Sequence, residues 1–380
     1  MTTLVAPRLS RADMSWTTEW RRTVDWPIIL GAVILLGIGL LLSLAAGPPA
    51  AARLGYDDPF FFVFRQAMFA GGAGVLLIAA SLMDRQMARR AAAIVFFGAF
   101  ALMAFILLAG HEAKGAQRWI RLFGFSLQPS EMVKPALIVL VAWLLAQRQL
   151  FPSGPWAIIA FSFYGVTLGL LLLQPDVGQA ALLSAAFILT FFIAGLPLRW
   201  AAGFGALATL LAGSLYALLP HVRQRVNSFV DPSAYDTYQI DKAAEAISRG
   251  GLLGAGPGEG QVKSSLPDAH TDFVYAVMGE EFGYLVALVV ICFYAFITLR
   301  GLGLAARIDD LFPRAAATGL FVLFGLQSVI NIGVNVALIP PKGMTLPLIS
   351  YGGSSLAGTA LTLGLALALV RRPPLARRRA

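Results

Sequence analysis

Long apolar windows recur along the chain, and they constrain its fold more than any other feature. Ten windows are long enough to cross about 30 Å of hydrocarbon at about 1.5 Å per helical residue. Only 13% of the residues are charged, against about a quarter in soluble domains. We therefore predict an all-α polytopic membrane protein with ten transmembrane helices. The windows lie near 26–46, 60–82, 91–110, 131–147, 156–173, 177–195, 199–219, 273–299, 313–338 and 351–370.

Basic residues are distributed unevenly among the predicted loops. Arginine clusters at 85–90 and 371–379 fall on one side, and cytoplasmic loops are the ones that carry such an excess. We predict that both termini are cytoplasmic, so the net charge of +9 reflects topology and attraction to anionic lipid, with no role for nucleic acid. The chain then divides into an N-terminal tail (1–25), a transmembrane domain (26–370) and a basic C-terminal tail (371–380).

The longest predicted outer loop covers 220–272, between the seventh and eighth spans. Loops of this length are uncommon unless they have a function. Residues 238–249 place Ile240, Ala243, Ala244 and Ile247 on one helical face, which predicts an amphipathic helix at the outer surface. The glycine-rich run 250–260 lacks the ending of a phosphate-binding loop, which favours a flexible hinge.

Two polar clusters fall before and at the start of the fourth span. Arg118 and Trp119 fit an interfacial anchor, or a guanidinium fork that grips a pyrophosphate. In the second cluster, Ser130 is suited to cap the helix, and Glu131 and Lys134 are spaced to pair on one face. This pair is either structural or part of a water-filled cavity. The cluster begins at Gln128.

Two further clusters fall on the same predicted side. Gln174, Pro175 and Asp176 separate the fifth and sixth spans, and Asp176 suits either a turn or a site. The segment 340–355 is rich in glycine, proline and hydroxyl groups, with Lys342 at its edge and Ser354 at the start of the last span. Small residues permit close helix packing. Lys342 beside hydroxyl donors equally suits an anionic headgroup.

The stretch 266–283 carries acids at the mouth of the eighth span. Asp272 lies at its N-terminal turn, where a carboxylate either caps the helix or does chemistry. Glu280 and Glu281 lie about 12–14 Å further along the axis, too far to share one bond-making event with Asp272. A role in the electrostatics of a cavity, or pairing with a basic residue, suits them better. Lys263, His270 and Thr271 are the polar neighbours on the other side.

Four stretches, in this order, resemble the SEDS family (shape, elongation, division and sporulation proteins). The resemblance spans about 26–370, and the sequence of residues 331–355 resembles the division branch of the family more than the elongation branch. The stretches are KGAQRWIRLFGFSLQPSEMVKP, QPDVGQA, SLPDAHTDFVYAVMGEEFG and NIGVNVALIPPKGMTLPLISYGGSS.

The resemblance implies a peptidoglycan glycosyltransferase of the bacterial inner membrane, at the division septum, that polymerises lipid II into glycan strands. It implies that Asp272 is the essential aspartate. The partners implied are a class B penicillin-binding protein, other division-complex proteins and membrane lipids. A divalent cation, Mg²⁺ or Mn²⁺, would assist, but no dense ligand cluster demands one. The expected substrate-binding residues are Arg118, Trp119, Gln128, Ser130, Glu131, Lys134, Asp176, Lys263, His270, Thr271, Lys342 and Ser354.

The chemistry expected is a single inverting displacement. The 4-hydroxyl of a fresh lipid-linked disaccharide attacks the anomeric carbon of the growing strand and expels pyrophosphate. Asp272 would act as the base, and Arg118, Lys134 and Lys342 would stabilise the leaving group. Three alternatives remain open: an elongation-type polymerase, a transporter that flips lipid II, and a non-catalytic scaffold.

Overall fold

The protein is mostly helical, with one small sheet. The computed structural model describes residues 16–109, 111–113, 116–122, 125–195, 237–340 and 343–371, with isolated positions between 203 and 227. The helices are α1 (Trp16–Thr23), α2 (Trp26–Arg53), α3 (Phe61–Leu82), α4 (Arg85–Ala109), α5 (Ser130–Leu150), α6 (Trp156–Leu173), α7 (Val177–Ile193), α8 (Tyr238–Gly250), α9 (Val274–Ala305), α10 (Leu311–Asn335) and α11 (Gly353–Val370), with a 3-10 turn at Val262–Ser264.

Eight helices in the described ranges are long and apolar enough to cross a membrane: α2 to α6 and α9 to α11. Helix α7 is equally apolar but has 17 residues. The prediction of a helical, multi-span protein is therefore confirmed. The predicted seventh span at 199–219 lies largely outside the described residues, so the count of ten stays a prediction.

Three helices form the centre of the bundle. In the apolar stretches of α5, α10 and α11, 83%, 72% and 89% of the residues are buried, whereas the share in α6 is 17%. Close packing at the centre depends on glycine. A Cβ on Gly358 would lie 2.7 Å from the carbonyl of Glu131, and one on Gly364 would lie 2.8 Å from the carbonyl of Leu77. Small residues thus let α11 approach both α5 and α3.

The segment between α4 and α5 corrects the all-α prediction. It forms a three-stranded antiparallel sheet of β1 (His111–Ala113), β2 (Ala116–Leu122) and β3 (Phe125–Leu127), in the order β1-β2-β3. Strand β2 pairs Ile120 with Leu127. The strands are linked by two residues ending in glycine, 114–115 and 123–124, a pattern typical of hairpins.

Helix α9 is broken, whereas the sequence predicts one continuous span at 273–299. Gly283 has φ 77° and ψ 177°, so the helix divides into the half-helices 274–282 and 284–305. A break leaves backbone carbonyls and amides without helical partners, which is costly where water is scarce. Those groups therefore need partners from elsewhere in the chain.

The glycine-rich run supplies those partners, so the prediction of a flexible hinge is wrong. Residues 250–256, here called the strap, cross the break at Gly283 and bond to both half-helices. The amide N–H groups of Tyr284, Ala255 and Gly256 donate to the carbonyls of Gly251, Glu280 and Glu281, at 2.9, 2.9 and 3.1 Å respectively. Glycine is needed here because the two backbones nearly touch.

Helix α8 confirms the predicted amphipathic helix and shifts its buried face. Ala243 and Ala246 are fully buried, and Ile247 contacts the half-helix 274–282 at Gly279. Ala244, predicted to face inward, is exposed. The helix therefore docks on the first half of α9.

Candidate functional site

Asp272 lies in a tight turn immediately before α9. The backbone amides of Thr271, Asp272 and Phe273 all donate to the carbonyl of Asp268, at 3.1 to 3.3 Å, and Asp268 has φ +51°. Helix α9 begins at Val274, with Phe273 in the cap position and no side-chain capping bond. Asp272 therefore lies one residue before the cap position, and its side chain is half-buried.

The turn is held from one side by the loop 343–352. The amide of Tyr351 donates to the carbonyl of His270 at 3.0 Å, and the hydroxyl of Ser350 donates to the carbonyl of Thr271. The predicted substrate residues His270 and Thr271 are thus fixed through their backbones.

Helix α10 holds the same turn from the other side. The side-chain amides of Asn331 and Asn335 each donate to the carbonyl of Asp272 at 2.9 Å. The side-chain carbonyl of Asn335 also accepts from the amide of Ala276 at 3.0 Å. Both asparagines are buried.

The loop 343–352 is itself anchored by buried polar side chains, so it forms a rigid support for the Asp272 turn. Its residues Leu346, Leu348 and Ile349 are at most 1% exposed. Because the loop is not a helix, its carbonyls need partners. The carbonyl of Met344 accepts from Asn331 at 2.6 Å, and that of Thr345 accepts from Gln327 at 3.2 Å. The carbonyl of Pro347 accepts from Tyr294 at 2.6 Å, and that of Ile349 accepts from Gln66 at 3.2 Å.

Glu131 and Lys134 form the predicted ion pair, at 2.9 Å, with side chains 4% and 2% exposed. Two glutamines share the pair. Gln179 donates to Glu131 at 2.7 Å and accepts from Lys134 at 2.5 Å. Gln327 accepts from Lys134 at 3.4 Å. Because the pair is this deeply buried, it needs these extra hydrogen bonds.

Gln327 connects this buried cluster to the Asp272 turn. Its amide donates to the carbonyl of Thr345, whose hydroxyl bonds that of Ser355. The cluster Glu131–Lys134–Gln179–Gln327 therefore contacts the loop 343–352, the support of the Asp272 turn.

Arg118 does not present a free fork, contrary to the predicted pyrophosphate grip. Its guanidinium donates to the carbonyls of Gln174, at 2.8 Å, and Pro175, and lies 3.6 Å from the Asp176 carboxylate. Asp176 also accepts from Gln128 at 3.1 Å. Burial raises the pKa of Asp176, and Arg118 opposes that shift. Arg118 thus stabilises the turn between α6 and α7.

Two predicted hydroxyls also have other roles. The Ser354 hydroxyl accepts from the amide of Gln128 at 2.9 Å and donates to the carbonyl of Ser126 at 3.2 Å, which joins α11 to the end of the sheet. Ser130 does not cap α5: Pro129 has that position, and the buried Ser130 hydroxyl has no hydrogen-bond partner among the described residues.

Lys263 is committed to a structural pair, which gives no support to its assignment to the substrate cavity. Its ammonium is buried against Glu281 and donates to the carbonyl of Gly258 at 3.1 Å. Glu280 accepts from the backbone amides of 261–263 at 2.7 to 3.0 Å. The expected pairing of Glu281 with a basic residue is confirmed.

The remaining candidates are Trp119, His270 and Lys342. Trp119 is 36% exposed, in keeping with an anchor at the membrane interface. The ring of His270 packs against those of Phe62 and Tyr351, with centroids 4.7 and 5.4 Å apart. Lys342 lies outside the described residues, and its role stays a prediction.

Metal binding also stays a prediction. Within the described part of the chain, no three His, Cys, Asp or Glu side chains converge on a point that would hold an ion. Glu280 and Glu281 instead bind backbone amides and Lys263 respectively.

Four important amide side chains were missed by the sequence interpretation, among them Gln179. The other three, Gln327, Asn331 and Asn335, recur every four residues along α10. Such a stripe of amides on one face of an apolar span indicates partners inside the bundle, and this signal was available from the sequence.

Comparison with known proteins gives consistent matches over almost the whole chain. The profile of the FtsW/RodA/SpoVE cell cycle proteins matches residues 26–373. A Caulobacter vibrioides protein named "Probable peptidoglycan glycosyltransferase FtsW" is 47% identical over 96% of this chain and 94% of its own length. A protein of the same name from Trichlorobacter lovleyi is 36% identical over 90% of this chain and 92% of its own.

Solved structures share the fold. A chain described as "Structural coordination of polymerization and crosslinking by a peptidoglycan synthase complex" superposes with a TM-score of 0.73 and 28% identity, over 91% of this chain and 97% of that chain. The crystal structure of the Thermus thermophilus rod shape determining protein RodA superposes with a TM-score of 0.66 and 28% identity, over 91% and 96%.

Proposed function

Because the chain belongs to the SEDS family, the FtsW/RodA/SpoVE cell cycle proteins, we propose that it is a peptidoglycan glycosyltransferase. It polymerises lipid II into glycan strands for the septal wall during cell division. The relatives named FtsW, at 36% to 47% identity, support the division branch over the elongation branch. The observation that carries the proposal is the half-buried Asp272, in a turn whose backbone carbonyls accept hydrogen bonds from side chains of α10 and of the loop 343–352.

In the proposed reaction, Asp272 takes the proton of the acceptor sugar hydroxyl as that oxygen attacks the anomeric carbon of the donor. The bond to pyrophosphate breaks, and the attack inverts the anomeric configuration. Lys134 and Lys342 supply positive charge toward the leaving pyrophosphate. Arg118 acts indirectly, because its donors hold the turn 174–176.

The proposal includes an orientation. Ten spans with both termini in the cytoplasm place the Asp272 turn at the outer face of the inner membrane, at headgroup depth. The seventh span is assigned to 199–219, which after Arg199 is apolar except for Thr209 and Ser214. This arrangement follows the arginine clusters at 85–90 and 371–379.

A cross-linking partner is part of the proposal. The solved relative from a peptidoglycan synthase complex supports a class B penicillin-binding protein as that partner. Other division proteins and membrane lipids complete the assembly at the septum.

The test is polymerisation of purified lipid II by the purified protein with its transpeptidase partner. Asp272→Asn should lower the rate by about 100-fold or more, because a general base contributes about 10²- to 10⁴-fold. Asp268→Asn is the matched control: it removes a neighbouring carboxylate, and asparagine tolerates the positive φ there.

Two results would contradict the proposal. A wild-type rate from Asp272→Asn protein would exclude Asp272 as the base. Translocation of lipid II in sealed vesicles, without any polymer from the wild-type protein and its partner, would favour a transporter instead.

A further inference from the structure

Two asparagines at the end of α10 have no role in the proposed reaction. Asn331 and Asn335 are one helical turn apart and are 1% and 0% exposed. A buried amide side chain destabilises a fold by about 1–3 kcal/mol unless it is hydrogen-bonded. Their partners therefore indicate what the two residues do.

Both asparagines bond to one backbone atom, the carbonyl oxygen of Asp272, at 2.9 Å each. A carbonyl oxygen has two lone pairs, and these two donors are enough to occupy both. The second N–H of Asn331 donates to the carbonyl of Met344 at 2.6 Å, in the loop 343–352. The Asp272 carbonyl is therefore tied to α10 and, through Asn331, to that loop.

Asn335 also fixes the first turn of α9. Its side-chain carbonyl accepts from the amide of Ala276 at 3.0 Å, one of the helix's initial amides, which lack the i−4 acceptor of a helix interior; the same amide also donates to the carbonyl of Phe273 at 3.0 Å. A single side chain thus spans the residues from Asp272 to Ala276. The peptide plane after Asp272 cannot rotate without breaking these bonds.

We propose that Asn331 and Asn335 are positioning residues for Asp272. By holding its carbonyl, they fix the direction of its Cα–Cβ bond and hence the approach of its carboxylate to the acceptor hydroxyl. Neither asparagine touches the reacting atoms. The inference rests on the proposed function, in which Asp272 is the base, and adds how that base is oriented.

A purely structural role is the competing explanation, and Asn335 allows the two to be separated. Asn335→Asp keeps an oxygen that accepts from Ala276 but removes the N–H that donates to Asp272. A helix-capping role predicts that this variant retains activity. A positioning role predicts that it does not.

The experiment uses the full-length protein with its transpeptidase partner and lipid II. For Asn331→Ala and Asn335→Asp we measure kcat, KM, the unfolding midpoint and the stoichiometry of lipid II binding. The control is Ser328→Ala, one turn earlier on α10. Among the described residues, the Ser328 hydroxyl bonds only the carbonyl of Phe324, at 2.9 Å.

We expect kcat per lipid II-binding molecule to fall about 10- to 100-fold in both asparagine variants, because small misplacements of a catalytic group have effects of this size. KM should stay within about twofold, since uniform binding is untouched. Ser328→Ala should keep the wild-type kcat.

Unchanged kcat per binding molecule, or activity lost only in proportion to binding stoichiometry, would overturn the inference while leaving the proposed function intact. Wild-type kcat in Asn335→Asp would overturn it for Asn335. If the wild-type protein with its partner makes no polymer, the proposed function fails, and the inference fails with it.

Discussion

The described residues contain two buried lysine–glutamate pairs that share chemistry but differ in their surroundings. Glu131 and Lys134 lie on one helix and share hydrogen bonds with Gln179 and Gln327 from two others. Lys263 and Glu281 instead join a loop to the half-helix 274–282, and one carboxylate oxygen of Glu281 has no hydrogen-bond partner among the described residues.

The different surroundings suggest different roles: a part of the candidate site for Glu131–Lys134, and a structural link for Lys263–Glu281. An amide offers both a donor and an acceptor, so Gln179 can satisfy either member of the first pair as charge changes nearby. In the part of the chain that the structure describes, no side-chain amide bonds to the Lys263–Glu281 pair, and Lys263 donates instead to the backbone carbonyl of Gly258. We interpret the first pair as part of the reaction centre and the second as an attachment of the outer loop.

The largest expected difference is in activity. Lys134→Met and Lys263→Met each leave a buried carboxylate without its cation, so both should destabilise the fold by about 3–5 kcal/mol. Per folded molecule, Lys134→Met should lose about 100-fold in polymerisation, whereas Lys263→Met should stay within about threefold. Rates normalised to the folded fraction check this. Equal losses from the two variants would remove the distinction.

The strap beside the Lys263–Glu281 pair offers the next test. A Cβ on Gly254 would lie 2.1 Å from the carbonyl of Glu281, while one on Gly258 meets nothing within 4 Å, although both glycines have φ near +87°. Gly258→Ala should therefore show only the backbone cost of about 1–2 kcal/mol. Gly254→Ala should show that cost plus the overlap.

Thermal unfolding and limited proteolysis of the strap measure the contrast between these two glycines. If both variants unfold at the same temperature, the close approach of strap and half-helix is incorrect. The interpretation of the Lys263–Glu281 region as a structural link would then lose its support.

A smaller effect is expected from Glu280→Gln. The new amide keeps one oxygen for the backbone of Gln261 and Val262 but turns an N–H toward the amide of Lys263. One buried donor loses its acceptor, at about 1–3 kcal/mol. The unfolding midpoint should fall, while kcat per folded molecule should hold. A selective loss of kcat would place Glu280 in the reaction centre instead.

The smallest effect is expected from the surface pair on α8, Lys242 and Glu245. Their hydrogen bond raises the pKa of Lys242 and lowers that of Glu245. Because the folded-state pKa of Glu245 is lowered, its contribution is present near neutral pH and disappears as the pH falls through that value. Lys242→Ala should barely move the unfolding midpoint, and about 1 M salt should abolish any difference. A large shift of the unfolding midpoint would mean that this exposed pair stabilises the fold as much as the buried pairs do.

Local patterns predicted the helices and the local pairs. Hydrophobic windows located the eight long apolar helices among the described residues, and the i,i+3 spacing of Glu131 and Lys134 predicted their contact. The turn at 174–176 followed from a proline and two polar residues between apolar runs. In each case the determining residues are close in sequence, so periodicity and spacing were sufficient.

Long-range partners were not predictable in the same way. Arg118 binds carbonyls 56 and 57 residues away, and Asn331 binds one 59 residues away. Every residue has a backbone carbonyl, so the sequence does not show which one a donor side chain will bind. The prediction of a flexible hinge at the strap was wrong for a related reason. Glycine permits both mobility and close approach, and only the fold, which places the strap across the break at Gly283, decides between them.

The break at Gly283 also sets a length. An unbroken helix over 274–305 would measure about 48 Å, well beyond the hydrocarbon thickness of about 30 Å. The half-helix 284–305 alone measures about 33 Å, which matches that thickness. The remaining half-helix, about 14 Å long, works as a spacer between the spanning part of α9 and Asp272. Inserting or deleting residues in it would move the Asp272 carboxylate, the proposed base, relative to the lipid surface.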